Sequence, residues 1–368
     1  MPGTPNLGLE RMRGLLAQLP DHLLNGYRDG NEIARSVSGP RARSTFVVGL
    51  GGSGIAADLA RVVLERETRI PYRVVRTPAL PASADRDSLV ILLSHSGKTW
   101  EILQAYDDAR RRSARLVAVT SGGDLAARAE RDGVPLIVVN PDMPQRSAVG
   151  LILGSVLGLL DPWFPESNEG RMAQIAETLR GQQARLARAS GPAARVAARL
   201  GGRIPFVYAE APLLPLARRW ATQIEENAKR LAVFDEVPEM FHNALVGWDR
   251  LSRAEGRRLA TIALEWGESS AEVQRSSRYL ARLVARRGVV AERLTFATHD
   301  LLQALLEGIL FGDHMSLHLA ARAGIDPAPV DAIWRFKGFL AGSSREEGAA
   351  GPRKRPNTRT PPRRAVLR

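Results

Sequence analysis

Short apolar runs alternate with longer segments of helical periodicity along most of the chain. The first 40 residues space leucine and methionine as on one helix face and predict one or two helices. Five apolar runs follow, separated by helix-sized segments, at residues 44–49, 72–76, 88–93, 115–120 and 134–139. Strands that alternate with helices form a parallel sheet covered on both faces, so this half predicts a doubly wound α/β domain.

The same alternation returns in the second half of the chain. Residues 148–160 predict a buried helix that closes the first domain, and residues 161–200 predict a helical linker rich in arginine and alanine. Beyond it we predict three strands, at residues 203–209, 258–264 and 289–294. A helix at 216–231 follows the first of these strands, and further helices at 301–340 follow the last. The halves share size and order, which suggests a duplicated fold. We therefore predict two α/β domains, at residues 41–160 and 201–341, preceded by a helical segment at 1–40.

Composition is consistent with two domains and narrows the function. With 368 residues, 44% of them hydrophobic, the chain can bury two cores. It contains no cysteine, which excludes disulfides, zinc ribbons and thiol catalysis and favours a cytoplasmic location. The longest apolar run has about 12 residues, so we expect no membrane span, and because the N-terminus lacks a basic segment followed by an apolar one we expect no secretory leader.

The net charge of +13 makes nucleic acid a partner to consider, but nearly half of that charge lies at residues 342–368. This segment holds eight Arg or Lys and two Glu among Gly, Pro and Ser, a composition that cannot form a core. We therefore predict a disordered basic tail without a specific nucleic-acid partner. The other arginines alternate with acidic residues on amphipathic helices and indicate solvated faces.

A glycine-rich loop, GLGGSG at residues 49–54, follows the first predicted strand and includes Gly51, Gly52 and Ser53. In this position a backbone can approach a phosphate closely. Dinucleotide-binding folds usually carry an acidic residue about 20 positions further on, whereas this chain has Arg76 near that position. An arginine leaves room for a 2′-phosphate, so a dinucleotide site and a purely structural turn both remain open.

A second loop, SHSGKTWE at residues 94–101, follows the strand at 88–93 and opens the next helix. Ser94, Ser96 and Thr99 lie there together with the free N–H groups of a helix start, a combination suited to a dianionic phosphate. The same hydroxyls can simply cap the helix, and both interpretations can hold at once.

At these two loops the chain resembles the sugar isomerase (SIS) domain family, whose members bind phosphosugars through a Ser- and Thr-rich loop. Over residues 40–340 it is similar to bacterial and archaeal bifunctional phosphoglucose/phosphomannose isomerases. Four segments carry the resemblance, namely PQR, EENAK, FHN and GIDPAPVDAIWRFK at residues 144–146, 225–229, 241–243 and 324–337. The resemblance implies two SIS-type domains, a phosphorylated hexose substrate, no metal or other cofactor, and a homodimer with shared active sites.

Aldose–ketose isomerisation moves a proton between C1 and C2 through an enediolate, so it needs a base, a cation and an acid/base for ring opening. The resemblance implies Glu226 as the base and Arg146 as the cation. It also implies His242, from the neighbouring subunit, and Lys337 in ring opening. Without the resemblance, Glu226 would be interpreted as a surface carboxylate paired with Arg230 four positions on.

Some positions depart from the family pattern. His95, Lys98 and Trp100 stand where relatives commonly have Tyr, Asn and Glu, and Ala328 stands where they commonly have Thr. These changes leave the choice between glucose and mannose phosphates open, because that choice depends on small contacts around C2. A non-catalytic phosphosugar-binding regulator is the alternative function.

A metal site is a further alternative. His314 and His318 can share one helix face beside Asp313. The segment HMSLH lacks the glutamate of the H-E-x-x-H type and no third strong ligand is evident, so we expect no metal there.

Overall fold

The computed structural model describes residues 7–36 and 41–340, and the basic tail predicted at 342–368 lies outside the described residues. The described chain contains two parallel sheets covered by helices. The strands of the first sheet are β1 (Ser44–Gly49), β2 (Tyr72–Val75), β3 (Ser88–Ser94), β4 (Arg115–Thr120) and β5 (Leu136–Val138). Their order is β2-β1-β3-β4-β5, and every adjacent pair is parallel. The five strands predicted for this half are confirmed.

Helices cover both faces of the first sheet. The chain enters through α1 (Leu7–Ala17) and α2 (Leu19–Ser36), and the strands alternate with α3 (Gly51–Glu67), α4 (Trp100–Arg111), α5 (Gly123–Arg131) and α6 (Val149–Leu159). All residues of α6 are buried, as the uninterrupted apolar run predicts. α6 packs so closely against α2 that a methyl group on Gly154 would overlap the Leu23 carbonyl oxygen. The N-terminal helices therefore belong to the hydrophobic core.

The second sheet repeats the strand order of the first. Two helices, α7 (Glu169–Ala187) and α8 (Pro192–Leu200), precede β6 (Ile204–Glu210), α9 (Leu214–Ala228), β7 (Val233–Val237), β8 (Leu259–Trp266) and β9 (Val290–Phe296). The order β7-β6-β8-β9 corresponds to β2-β1-β3-β4, and all pairs are again parallel. The intervening helices are α10 (Ala244–Arg250), α11 (Arg253–Gly256), α12 (Ala271–Arg286) and α13 (Leu301–Arg322). This common order agrees with the duplicated fold that the sequence suggests.

One strand differs from the sequence prediction. The sequence analysis does not predict β7, which ends at Val237; a short 3-10 helix (Glu239–His242) follows. The sequence of β7, VFDEV, contains two acidic residues, and the strand lies at the edge of its sheet with Val233 and Phe234 exposed. An edge strand buries little surface, so it lacks the apolar run that identifies a central parallel strand.

The described residues up to Pro329 pack as one compact unit that contains both sheets, and a second unit begins at Val330. Within the second unit the described residues form α14 (Asp331–Leu340), which exposes Trp334 and Phe336. The domain boundaries at 160 and 201 remain predictions. No helix in the described ranges is both long and apolar enough to cross a membrane.

Candidate functional site

Two loops leave the first sheet at the same edge. β1 and β3 are adjacent, and their last paired residues are Gly49 and Leu93. The glycine-rich loop therefore lies beside the Ser/Thr-rich loop, at the carboxyl edge where open α/β sheets bind ligands. A residue of positive φ, Gly51 at +55°, begins α3 directly after β1.

The glycine-rich loop contacts the PQR segment. A side chain added at Gly52 would begin 3.9 Å from Arg146 Cα and 3.6 Å from the Gln145 carbonyl oxygen. Ser53, in the first turn of α3, is 1% exposed, and its hydroxyl has no hydrogen-bond partner among the described residues. This loop, which lies against the Arg146 backbone at Gly52, thus combines the N–H groups of a helix start with a buried hydroxyl.

The Ser/Thr-rich loop is preorganised by its own hydroxyls. Ser94 is buried and its Oγ donates to Thr99 Oγ1 at 3.0 Å. Thr99 precedes α4, yet within the described part of the chain its side chain makes no capping bond, so capping does not account for it. Ser96 is exposed and its Oγ accepts from Lys98 N at 3.4 Å. The exposed hydroxyl of Ser96 is available to a ligand at this edge.

A glycine pair holds this loop against the loop that follows β4. Gly97 has φ +63°, and a methyl group on it would overlap the Gly122 carbonyl oxygen. Two further bonds join the loops, since Ser121 N donates to His95 O at 3.0 Å and Leu125 N donates to Gly97 O at 3.0 Å. The loop conformation therefore depends on glycine at position 97.

Arg146 is the centre of the site. It lies in a short 3-10 helix (Gln145–Ser147) and is 5% exposed. Its Nε donates to Asn227 Oδ1 at 2.9 Å, and its Nη2 donates to the carbonyl oxygens of Pro327 and Ala328 at 2.6 and 3.1 Å. Nη1 lies 3.4 Å from Glu226 Oε2. Burial lowers the pKa of the Arg146 guanidinium, an effect that the Glu226 carboxylate opposes.

Glu226 lies near the C-terminal end of α9, and its side chain is 31% exposed. Its predicted helix partner, Arg230, instead donates to the Gly201 carbonyl oxygen. The preceding residue, Glu225, is exposed, and its carboxylate approaches the backbone of Ala232. The structure therefore brings Glu226, and not Glu225, to Arg146.

Two further site residues, His242 and Lys337, were predicted from the resemblance. His242 ends the 3-10 helix after β7 and is exposed; within the described ranges it forms no hydrogen bond or ion pair with Glu226 or Arg146. Lys337 lies in α14 of the second unit, where its Nζ is 5.0 Å from the centre of the Trp334 ring. The roles implied for both residues remain predictions.

Sequence reasoning missed an arginine behind Arg146. Arg219 is 1% exposed, and its Nε and Nη2 donate to Asp313 Oδ1 and Oδ2 at 3.1 and 2.6 Å. The same Nη2 donates to the carbonyl oxygen of Arg146 at 2.9 Å. A helical spacing could have identified it, since Arg219 precedes Glu226 by seven residues on α9 and so shares its face.

The residues considered as metal ligands have other partners. Asp313 binds Arg219, His314 Nε2 lies 3.1 Å from Gln183 Oε1, and His318 Nε2 lies 3.0 Å from the Leu186 carbonyl oxygen. Burial lowers the pKa of His314 to about 4. In the described ranges no group of three or more His, Cys, Asp or Glu residues could hold a metal ion.

Comparisons with known proteins agree on the fold. The family described as SIS domain matches residues 41–149, and the bacterial phospho-glucose isomerase C-terminal SIS domain matches residues 189–340. The solved C-terminal domain of glucosamine-fructose-6-phosphate aminotransferase from Francisella tularensis superimposes with a TM-score of 0.64 at 13% identity, covering 85% of this chain and 96% of that one. At this identity the structural likeness shows the fold alone.

Two curated proteins are similar in sequence. The bifunctional phosphoglucose/phosphomannose isomerase of Caldicellulosiruptor bescii is 30% identical over 332 residues, which cover 88% of this chain and 97% of that protein. The D-glucosamine-6-phosphate 4-epimerase of Sulfolobus acidocaldarius is 29% identical over 221 residues, covering 60% of this chain and 68% of that protein.

Proposed function

The chain belongs to the family of bifunctional phosphoglucose/phosphomannose isomerases, and from that membership we propose that it interconverts fructose 6-phosphate with glucose 6-phosphate, mannose 6-phosphate or both. The reaction proceeds through an enediolate and requires no metal. The contact of Arg146 with Glu226 at 3.4 Å, beside Gly52, carries this proposal. It joins a carboxylate and a buried cation at the edge where two candidate phosphate loops meet.

The phosphate binds at the carboxyl edge of the first sheet. Ser94, Ser96 and Thr99 supply hydroxyls, while Gly51, Gly52 and Ser53 supply the start of α3. The hydroxyl of Ser53 is buried and has no hydrogen-bond partner among the described residues, which supports a phosphate oxygen as its acceptor. Oriented N–H groups and hydroxyls favour a dianion over a neutral group.

Glu226 and Arg146 carry out the proton transfer. Starting from the open-chain aldose, Glu226 takes the proton from C2, the C2–H electron pair forms the C1=C2 bond, and the π pair of the C1 carbonyl moves to O1. A proton then passes from the O2 hydroxyl to O1, and Glu226 returns its proton to C1 as the C2 carbonyl forms. The charge develops on the oxygens of the enediolate, where a buried cation stabilises it strongly. Arg146 Nε and Nη2 are bound to protein acceptors at 2.6–3.1 Å, so Nη1, with its longer contact, is the nitrogen that meets this charge.

His242 and Lys337 assist ring opening, with His242 supplied by the partner subunit of a homodimer. The segment before and after His242 exposes large apolar side chains, including Leu231 and Val246, each 70% exposed. Together with the edge strand β7, these side chains favour burial against a second copy. Because His242 is exposed on this surface, its side chain can reach the active site of a partner subunit that packs there.

The test is a coupled assay that detects glucose 6-phosphate and mannose 6-phosphate separately from fructose 6-phosphate, in the presence of a chelator. We expect at least one aldose product, with no loss in the chelator. Activity that disappears with chelator and returns with zinc would contradict the metal-free reaction. Binding without turnover would favour the non-catalytic regulator, and turnover of glucosamine 6-phosphate alone would assign the chain to the chemistry of its epimerase relative.

A further inference from the structure

Arg146 is held by α9 at two separate points. Arg219 binds its carbonyl oxygen at 2.9 Å, and Asn227 binds its Nε at 2.9 Å. These two α9 residues are eight positions apart, about 12 Å along the helix axis. The arginine is therefore fixed along α9 from its main chain to its guanidinium, and Glu226 lies next to the second anchor.

α13 supports both anchors from behind. Asp313 forms two hydrogen bonds with the first anchor, Arg219, and Ser316 Oγ accepts from Asn227 Nδ2 at 2.9 Å. Asp313 and Ser316 are 8% and 0% exposed, and they are three positions apart on one helix face. Two buried polar contacts thus determine how α9 presents its side chains to Arg146.

We propose that Arg219 and Asp313 are positioning residues for the isomerisation, which hold the Arg146 guanidinium so that Nη1 meets the enediolate. This inference rests on the proposed function. Arg219 does not contact the substrate; it acts by fixing the main chain of Arg146. Arg219 pairs with both Asp313 oxygens through Nε and Nη2 while Nη2 also donates to the Arg146 carbonyl oxygen. A lysine is a compact point charge with one nitrogen and cannot make all three bonds in this geometry.

The experiment compares two ligands by calorimetry on the full chain. One is 5-phosphoarabinonate, whose carboxylate resembles the enediolate, and the other is glucitol 6-phosphate, which carries the phosphate without an anionic C1–C2 group. Since a shift of about 1 Å in a catalytic group costs about 10²-fold, Arg219→Lys should weaken binding of 5-phosphoarabinonate by about 10²-fold and leave glucitol 6-phosphate binding unchanged. The kcat for fructose 6-phosphate should fall with little change in KM.

Arg171→Lys is the matched control. Arg171 also bridges two carboxylates, those of Glu67 and Asp300, but it does not contact Arg146 or α9 in the described structure. The Arg171→Lys variant should be less stable than the wild type but should keep the wild-type ratio of the affinities for 5-phosphoarabinonate and glucitol 6-phosphate. If Arg219→Lys does not fold, the double variant Arg219→Met/Asp313→Leu removes the buried charges as a pair, which is often tolerated, and should show the same selective loss.

The outcomes separate this inference from the proposed function. If Arg219→Lys binds each ligand with the wild-type affinity, or if it loses affinity for both ligands by the same factor, the positioning role is overturned. The isomerase proposal remains intact in both cases. A wild-type chain that binds neither ligand would overturn the proposed function and this inference together.

Discussion

Glu226 Oε2 lies 3.4 Å from Arg146 Nη1, although 80 positions separate the two residues in the sequence. Arg146 comes from the end of the first sheet and Glu226 from a helix of the second half. Each residue type is common in this chain, and neither is informative alone. Their contact beside the glycine-rich loop identifies a place where a base and a cation can act on one substrate.

Glu226→Gln should abolish most of the isomerase activity. The amide keeps the size of the side chain but cannot accept a proton, and loss of a general base typically costs about 10²- to 10⁴-fold. We therefore expect kcat to fall by at least that factor while substrate binding and the melting temperature change little. Steady-state kinetics and exchange of the C2 proton with tritiated solvent measure the effect.

Glu225→Gln is the internal control for this prediction. An adjacent helix position points about 100° away, and Glu225 approaches the backbone of Ala232 and not Arg146. This variant should remain active and should retain proton exchange. If Glu225→Gln were the inactive variant, the catalytic register along α9 would be wrong by one residue.

The double variant Ser96→Ala/Thr99→Ala should mainly raise KM. Each hydroxyl bonded to a dianion contributes about 1.5–3 kcal/mol to binding, so their loss should weaken binding of the phosphorylated sugar with a smaller effect on kcat. Ser88→Ala is a suitable control, because Ser88 lies at the amino end of β3, whereas the Ser/Thr-rich loop follows the carboxyl end of that strand. An unchanged KM in the double variant would place the phosphate elsewhere.

Mixing two inactive variants tests the shared active site. A His242→Ala subunit still provides Glu226, and a Glu226→Gln subunit still provides His242, so one of the two sites in a mixed dimer regains both groups. With random exchange about half of the dimers are mixed, and activity should recover to about a quarter of the wild-type value. No recovery after demonstrated subunit exchange would place both residues of each site on one chain.

Stability at acidic pH should depend on His314. Burial, together with His318 and Arg13, lowers the pKa of His314 from 6.5 to about 4. As pH falls below 6.5 the unfolded chain binds this proton first, so the free energy of unfolding decreases until the folded-state pKa is reached. At about pH 5 the loss from this group amounts to about 2 kcal/mol.

His314→Gln removes that titration while keeping an amide donor for Gln183. Urea unfolding at neutral and acidic pH should show a smaller loss of stability in the variant than in the wild type. His299→Gln is the comparison for replacing an exposed histidine, because the His299 side chain is 82% exposed. Identical acid losses in His314→Gln and the wild type would contradict the assignment.

The local pattern of apolar and polar residues was sufficient to predict the elements that bury the most apolar surface. β1, β3 and β4 are apolar runs between glycines and polar turns, and α6 is apolar on every face, so short-range periodicity identifies them. The glycine and hydroxyl loops followed from their places directly after β1 and β3. β7 did not follow, since an edge strand with acidic residues has no such periodicity.

Local sequence patterns were enough to predict the doubly wound parallel sheets and the two loops, because both depend on residues within a few positions of one another. The assignment of Glu226 needed the family resemblance, since alone it would be a surface carboxylate. The three-dimensional packing was needed to find that Asn227, Arg219 and the Pro327 carbonyl fix Arg146, through hydrogen bonds that span 81, 73 and 181 positions. Contacts of that range depend on how the elements pack together, which no local pattern of polar and apolar residues encodes.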